Sequence, residues 1–271
     1  MSESFDIIII GGGIAGTSAA LTAMNRGKRT AVIANPMESE SLYKAEKITN
    51  YPGLAGLSGR EMSELLRRQL VGSGAKLIRG RALNVMDMGG SFGVAVGNDF
   101  YEAMAVILAL GITREKLYPG EAEFLGRGVS YCATCDGMLY RGKTVALIGN
   151  NREAYDDTDF LRGIGCNVLH FRDNLRYEIR GGMKADTLIV GGQEHPVDGV
   201  FIIKDSISVS KLMDGLEYEN GAIVTKRDMS TSIPGVFACG DCTGKPYQLA
   251  KAAGEGNIAA LSACEYVKEN K

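Results

Sequence analysis

A glycine-rich hexapeptide, Gly11-Gly12-Gly13-Ile14-Ala15-Gly16, joins a strand-like run to a helix-like one and restricts the fold more than any other feature of the chain. Phe5 to Ile10 reads as a buried strand, Ile14 to Arg26 has helical spacing, and Thr30 to Ala34 reads as a second strand. The pattern G-x-G-x-x-G at such a junction permits a tight turn. It also seats a pyrophosphate on the helix N-terminus, whose partial positive charge stabilises it. The opening of the chain is therefore a βαβ unit suited to a dinucleotide. The acidic residue expected about twenty positions further on for the ribose hydroxyls is replaced by Asn35, which hydrogen-bonds a hydroxyl less strongly than a carboxylate does.

Ile7 to Met24 contains no charged residue and has the length of a membrane span. Gly11, Gly12, Gly13, Gly16, Thr17 and Ser18 interrupt it, and Glu3 and Asp6 precede it where a signal peptide carries positive charge, so no membrane segment is expected. With 30 Lys+Arg against 32 Asp+Glu the formal net charge is −2, which excludes a generally basic nucleic-acid binder. Six cysteines in 271 residues do not make a secreted disulfide framework and point to a reducing cytoplasm.

Apolar runs at Ala105 to Leu110, Thr144 to Ile148, Val200 to Ile203 and Gly235 to Ala238 read as buried parallel strands, and Leu57 to Gly72 and Tyr247 to Val267 as helices. A second βα unit starts at Lys143, with a helix near Arg152 to Arg162 and a strand over Asn167 to Phe171. Short strands follow around Gly181-Gly182 and Gly191-Gly192, without a second crossover helix. The expected architecture is α/β, two nested Rossmann-like (doubly wound) domains with the inner one abbreviated. Residues 1–113 and 232–271 form the outer domain and 114–231 the inner one.

Cys132-Ala133-Thr134-Cys135-Asp136-Gly137 carries the chemistry. Two cysteines at this spacing form a small, reducible disulfide, and Asp136 is placed to move protons to and from a thiolate. Cys239-Gly240-Asp241-Cys242 supplies a second pair, so a Cys₄ zinc site is an alternative. The second pair sits at the end of a buried strand, which favours space-filling thiols and no metal. Asp241, between that strand and a long Ala-rich helix, suits a ribityl hydroxyl, while a helix cap is its plainer role. Paired with the N-terminal glycine turn, it favours FAD.

These motifs, in this order, resemble the low-molecular-weight thioredoxin reductases. The likeness runs through Gly11 to Gly16, Asn50-Tyr51-Pro52-Gly53, Ala109-Leu110-Gly111, Gly126 to Gly137 and Gly235 to Ala260. It implies a homodimer, FAD held by the split outer domain, and electrons passing from flavin to the Cys-x-x-Cys and on to thioredoxin. It also implies Gly11, Gly13, Ile14, Ala15, Gly16, Asn35, Leu42, Asn50, Ala109, Gly111, Gly240, Asp241, Gln248, Leu249 and Ala250 as cofactor contacts, and Cys135 as the cysteine that faces the flavin.

The chain departs from the family in two places. Ser39-Glu40-Ser41 replaces a Gly-Gly-Gln turn beside the flavin, and Gly149-Asn150-Asn151-Arg152-Glu153-Ala154 replaces the Gly-x-Gly-x-x-Ala that receives NADPH. A Cβ at Asn151 obstructs a pyrophosphate, and Glu153 places negative charge where phosphate belongs. His170-Phe171-Arg172 and Arg176 retain two arginines of the family's three-arginine phosphate clamp. The combination looks like the ferredoxin-dependent flavin thioredoxin reductases, which implies ferredoxin as electron donor. The alternatives are an NADPH enzyme with a distorted site, an oxygen-using dithiol oxidase, and a non-enzymatic flavoprotein. Basic islands at residues 60–81 and 160–184 are candidate surfaces for an acidic ferredoxin.

Overall fold

The computed structural model describes residues 3–35, 42–43, 45, 47–54, 56–111, 117–131, 133–203 and 212–271, with Cys135 described in its backbone alone. Cys132 and the Ser39-Glu40-Ser41 turn lie outside the described residues. The chain divides into two compact units, Met1–Thr113 with Ser208–Lys271, and Arg114–Ile207.

The first unit is built on β1 (Glu3–Ile10), β2 (Thr30–Ala34), β3 (Lys76–Arg79), β6 (Asp99–Leu108) and β16 (Val236–Ala238), all parallel in the order β3-β2-β1-β6-β16. Strands β4 (Ala82–Asp87) and β5 (Phe92–Val96) extend it as an antiparallel meander. The early part of β6 pairs β5, and its last residues pair β16. Helices α1 (Ile14–Asn25), α2 (Gly59–Gly72) and the C-terminal α6 (Leu249–Glu269) complete the unit with the hairpin β14 (Tyr218–Glu219) and β15 (Ala222–Ile223). The run Ile7-Ile8-Ile9-Ile10 is unbroken because both faces of the sheet are covered. Ile7 and Ile9 meet Ala residues of α1 and α6 on one side. Ile8 and Ile10 meet Val94, Leu212, Met213, Leu216 and Ile223 on the other. Those last residues explain why the chain rejoins the first unit at Ser208 and not at 232, as the sequence suggests.

The second unit holds a four-stranded parallel sheet, β7 (Val129–Ser130), β13 (Gly199–Ile202), β8 (Thr144–Ile148) and β9 (Asn167–Phe171), in that order. Helix α5 (Arg152–Gly163) covers one face, where Val145 and Leu147 meet Leu161. The other face is covered by an antiparallel meander, β10 (Tyr177–Gly181), β11 (Ala185–Val190) and β12 (Gln193–Pro196), through Tyr177, Ile179 and Leu188 against Ala146 and Ile148. The meander replaces the second crossover helix, because it buries the face that helix would otherwise cover. Two short helices, α3 (Glu121–Phe124) and α4 (Ala133–Asp136), flank β7. Among the described residues no helix is long and apolar enough to cross a membrane.

Candidate active site

Register brings the expected cofactor residues together. Ile10 pairs with Ile33 of β2 and Leu108 of β6, and Leu108 pairs with Ala238 of β16, so these strands end level. Gly11, Asn35, Ala109 and Gly240 follow within one or two residues of that row. The chain turns to one side from β1 and to the other from β6, so Gly11 and Ala109 border the switch point where open α/β sheets bind ligands.

The three fingerprint glycines have different tasks. At Gly11 (φ +120°) an added Cβ would lie 2.1 Å from the Ala109 carbonyl oxygen, and at Gly16 it would lie 1.9 Å from the Gly11 oxygen. Both allow helix and strand to pack. At Gly13 an added Cβ would meet nothing within 4 Å, so this glycine leaves room for something other than protein. Gly13 is also the N-cap of α1, with no side-chain cap and no acidic residue in the first turn. Ile14 and Ala15 are buried beneath it. A pyrophosphate fits this open, uncapped helix end.

Helix α6 repeats the feature. Its N-cap, Gln248, makes no side-chain cap, and its amide oxygen accepts from Asn50 Nδ2 at 2.7 Å. Asn50 and Gln248 thus meet, although 198 residues separate them. Leu249 and Leu42 pack on the core beside α1, and Ala250 is exposed on the first turn of α6. The Asn35 carbonyl accepts from Arg67 at 3.4 Å. Gly111, Asp241 and Tyr247 line a cleft of about 470 Å³ beyond β6 and β16, with Glu219, Gly244 and Lys245. Burial raises the Asp241 carboxyl above the ordinary carboxylate range, with nearby Lys251 opposing the shift and Glu255 adding to it.

Lys251 and Glu255 are the residues that sequence reasoning missed. They form an ion pair at 3.3 Å, both only 17% exposed, against the Gly240–Thr243 turn. A Lys and a Glu one turn apart in a helix usually mark a solvated face, and only tertiary packing makes this pair interior.

In the second unit, Ser130 Oγ donates to Asp136 Oδ2 at 2.6 Å, and Tyr131 Oη donates to Glu121 Oε1 at 2.9 Å. The two residues before Cys132 are each tied to a carboxylate. At Gly137 a Cβ would lie 2.8 Å from Leu161, so glycine lets the Cys-x-x-Cys segment pack closely on α5. Cys239 and Cys242, by contrast, are fully buried thiols. Burial pushes Cys239 well up and Cys242 up to about 11, so both stay protonated and unreactive near neutral pH.

Comparison with known proteins decides the family. A family model described as pyridine nucleotide-disulphide oxidoreductase matches residues 5–185 and 177–256. The thioredoxin reductase of Treponema pallidum (strain Nichols) is 33% identical over 302 residues, spanning 98% of this chain and 98% of the relative. The chain belongs to the pyridine nucleotide-disulphide oxidoreductases, among the thioredoxin reductases. The crystal structure of a ferredoxin-flavin thioredoxin reductase from Clostridium acetobutylicum is similar at TM-score 0.91 and 38% identity, covering 98% of each chain. A thioredoxin reductase from Gloeobacter violaceus gives TM-score 0.86 at 30% identity, covering 99% of this chain and 96% of the other. Membership implies a flavin disulfide oxidoreductase.

The family description also implies a pyridine nucleotide, and the turn that would receive it has a different character. Ile148 pairs with Phe171 and Ile202, so Gly149, Arg172 and Ile203 follow a level row as in the first unit. At Gly149 a Cβ would lie 2.7 Å from the Ile203 oxygen, matching Gly11 against Ala109. The likeness ends at the helix. Asn151 is the N-cap of α5, its Oδ1 accepts from the Ala154 N–H at 2.8 Å, and Glu153 occupies the first turn. His170 lies within hydrogen-bond reach of the Gly149 carbonyl at 3.0 Å and of Thr158 Oγ1 at 3.2 Å. The α5 N-terminus is thus closed by the protein's own oxygen and carries an acidic residue in its first turn, in contrast to the open, uncapped N-terminus of α1.

Proposed function

We propose that this flavoenzyme passes electrons from reduced ferredoxin through FAD and a Cys132–Cys135 disulfide to thioredoxin, as a cytoplasmic homodimer. The observation that carries the reading is the contrast between helix ends. The α1 and α6 N-termini lack side-chain caps, whereas α5 is capped by Asn151. A chain that kept one dinucleotide cradle and closed the other needs a donor other than a nicotinamide. Flavin supplies the matching chemistry when bound, because it accepts single electrons and delivers a pair.

The chain's residues then have definite tasks. Gly13 and the α1 N-terminus would hold the pyrophosphate, Asp241 would accept from the ribityl hydroxyls, and Gln248, Leu249 and Ala250 would lie beside the ring. Cys135 receives the electron pair, and the Cys132–Cys135 S–S bond opens to two thiols with uptake of two protons, one of them through Asp136. One thiol gives up its proton to become the thiolate that attacks the thioredoxin disulfide, and the departing thioredoxin sulfur takes up a proton. The second thiol resolves the mixed disulfide in the same way, so no net proton is gained or lost in the exchange. In sum, two reduced ferredoxins, two protons and one thioredoxin disulfide give two oxidised ferredoxins and a thioredoxin dithiol.

The candidate ferredoxin surface is narrower than the sequence suggests. Arg81 is buried, Arg60 pairs with Glu64 at 3.0 Å and Lys76 with Glu3 at 3.6 Å, which depletes the first island. In the second, Arg180 pairs with Glu178, and Arg162 in the last turn of α5 pairs with Asp159 at 3.8 Å and precedes β9, whereas Arg172 follows that strand's other end. Arg172 and Arg176 are exposed in the loop between β9 and β10. A second reading, NADPH as donor, rests on these same two arginines as a phosphate site. Anaerobic flavin bleaching separates the two. Reduced ferredoxin is expected to bleach the flavin rapidly and NADPH slowly or not at all; rapid bleaching by micromolar NADPH alone overturns the assignment.

A further inference from the structure

The Lys251–Glu255 pair has more bonds to the Gly240–Gly244 backbone than a surface ion pair would. Lys251 Nζ donates to the Gly240 carbonyl at 3.0 Å, to Thr243 Oγ1 at 3.0 Å and to the Gly244 carbonyl at 2.7 Å. Glu255 Oε2 accepts from the Gly240 N–H at 2.9 Å and from Thr243 Oγ1 at 3.0 Å. Gly240 is therefore gripped on both sides, its N–H by the anion and its C=O by the cation. The next residue is Asp241.

Stability alone is a poor explanation for burying these charges, because an apolar pair of similar volume commonly does as well. The turn does need external support. Gly240 and Gly244 have φ of +81° and +101°, and the N-cap Cys239 contributes no side-chain bond. Two charge-assisted anchors from α6 fix the two peptides on either side of the Gly240 Cα, the second of which leads into Asp241. They also lock that turn to the helix whose N-cap is Gln248 and whose first residues are Leu249 and Ala250.

We propose that Lys251 and Glu255 are positioning residues for the flavin, a charged clamp that holds Asp241 in the orientation that receives the ribityl hydroxyls. The inference rests on the reading of Asp241 as a flavin contact. Around Asp241 the charged and titratable groups are Lys251 and Glu255 from α6, Glu219 from the β14–β15 hairpin, Lys245 and Tyr247 from the loop before α6, and the buried Cys242 thiol. Lys251 favours the ionised carboxylate and Glu255 opposes it, so removing one or the other moves the pH dependence of flavin affinity in opposite directions.

The test is titration of flavin-stripped protein with FAD across the acid to neutral range, read by flavin fluorescence, with thermal unfolding of each apo form alongside. Lys251→Met is expected to weaken FAD binding about tenfold or more, as for loss of a charge-assisted bond, and to move the acid loss of affinity to higher pH. Glu255→Gln should also weaken binding but move the acid loss to lower pH. Lys251→Met/Asp241→Ala should bind no more weakly than Asp241→Ala alone. Affinity within about twofold of the parent in either single variant, or pH shifts of one sign in both, overturns the clamp. Should Lys251→Met fail to fold, the Glu255→Gln titration decides by itself. If Asp241→Ala binds FAD as the parent does, the flavin reading of Asp241 fails instead.

Discussion

Ser130 Oγ and Asp136 Oδ2 lie 2.6 Å apart, a short bond that spans the stretch of sequence containing both cysteines of the Cys-x-x-Cys. A hydroxyl in that position restricts the carboxylate to one rotamer and occupies one of its oxygens, leaving the other for proton transfer. Asp136→Asn keeps the shape and the Ser130 partner but cannot carry the proton. It is expected to slow reoxidation of the reduced flavin by about 100-fold, the lower range for a lost general acid. Ser130→Ala keeps the carboxylate and loses its orientation, so a drop of roughly tenfold is expected. Single-turnover stopped-flow measurements check both, with flavin content unchanged in each variant.

Gly11 and Gly13 should separate folding from binding. An alanine at Gly11 places a methyl 2.1 Å from the Ala109 oxygen on a backbone with φ of +120°. The strain of overpacking, about 1–3 kcal/mol or more, should lower the Tm of flavin-free protein. An alanine at Gly13 meets no protein atom within 4 Å. Gly13→Ala is expected to leave the apo Tm near the parent's and to weaken FAD binding about tenfold or more through obstruction of the pyrophosphate. Calorimetry of apo forms and FAD titration give the two readouts.

The central parallel strands and the long helices are legible because the two parallel-stranded sheets are covered on both faces there, so those strands are runs of apolar residues that turn residues bound. The half-exposed β3 and β4 carry no such run and are not read, nor is β5 between β4 and β6. Asn167 to Phe171 is read correctly to the residue, and the glycine turn announces its own switch point. What the sequence hid depends on contacts between distant segments. Leu212, Met213 and Leu216 return to the first unit, but three apolar residues with no strand-length pattern do not reveal it. Arg81 reads as part of a basic surface and is buried. Asn151 reads as a steric obstacle, and the structure adds that it bonds the very N–H a phosphate would seek.

That bond leads to a gain-of-function test. Asn151→Gly removes the cap at a cost of only a few tenths of a kcal/mol, because glycine is tolerated at N-caps (about 0.3 kcal/mol). Glu153 would still repel phosphate, so Asn151→Gly/Glu153→Ala is expected to raise NADPH-dependent flavin reduction above either single variant. An anaerobic NADPH titration followed by flavin absorbance measures it. No gain in the double variant would mean that the α5 N-terminus is not what excludes the nucleotide.

Asp241 should show a conflict between stability and binding. Burial raises its carboxyl above the ordinary 3.8, so the folded chain holds that proton more tightly than the unfolded chain. The sign follows from linkage. The group adds nothing unfavourable at pH below 3.8, and its ionisation destabilises the fold as pH rises above that value. Asp241→Asn should therefore raise the Tm of flavin-free protein at neutral pH and leave it unchanged in strong acid, while weakening FAD binding about tenfold. Thermal unfolding at both pH extremes is the check, and an equal change at both would point to packing instead of charge.

The donor reading predicts where ferredoxin meets the chain. Arg172 and Arg176 are exposed after β9, Arg172 immediately following the level row where the parallel strands of the second unit end and Arg176 closing the loop before β10. The Arg172 carbonyl accepts from Tyr177 Oη and that of Arg176 from the Gly191 N–H, so the loop is anchored by its backbone while both guanidinium groups stay solvated. An anchored pair of cations is suited to steering an acidic protein, and steering between exposed charges is screened by salt, with a Debye length of about 10 Å at 0.1 M. Arg172→Glu/Arg176→Glu is expected to raise the KM for ferredoxin about tenfold or more while kcat falls little, since encounter and not chemistry is impaired. Its residual activity should depend on salt far less than the parent's. Thioredoxin reduction from chemically reduced flavin should be unchanged, which separates donor docking from acceptor exchange. If the charge-reversed variant turns over ferredoxin with the parent's KM and salt dependence, the donor docks elsewhere.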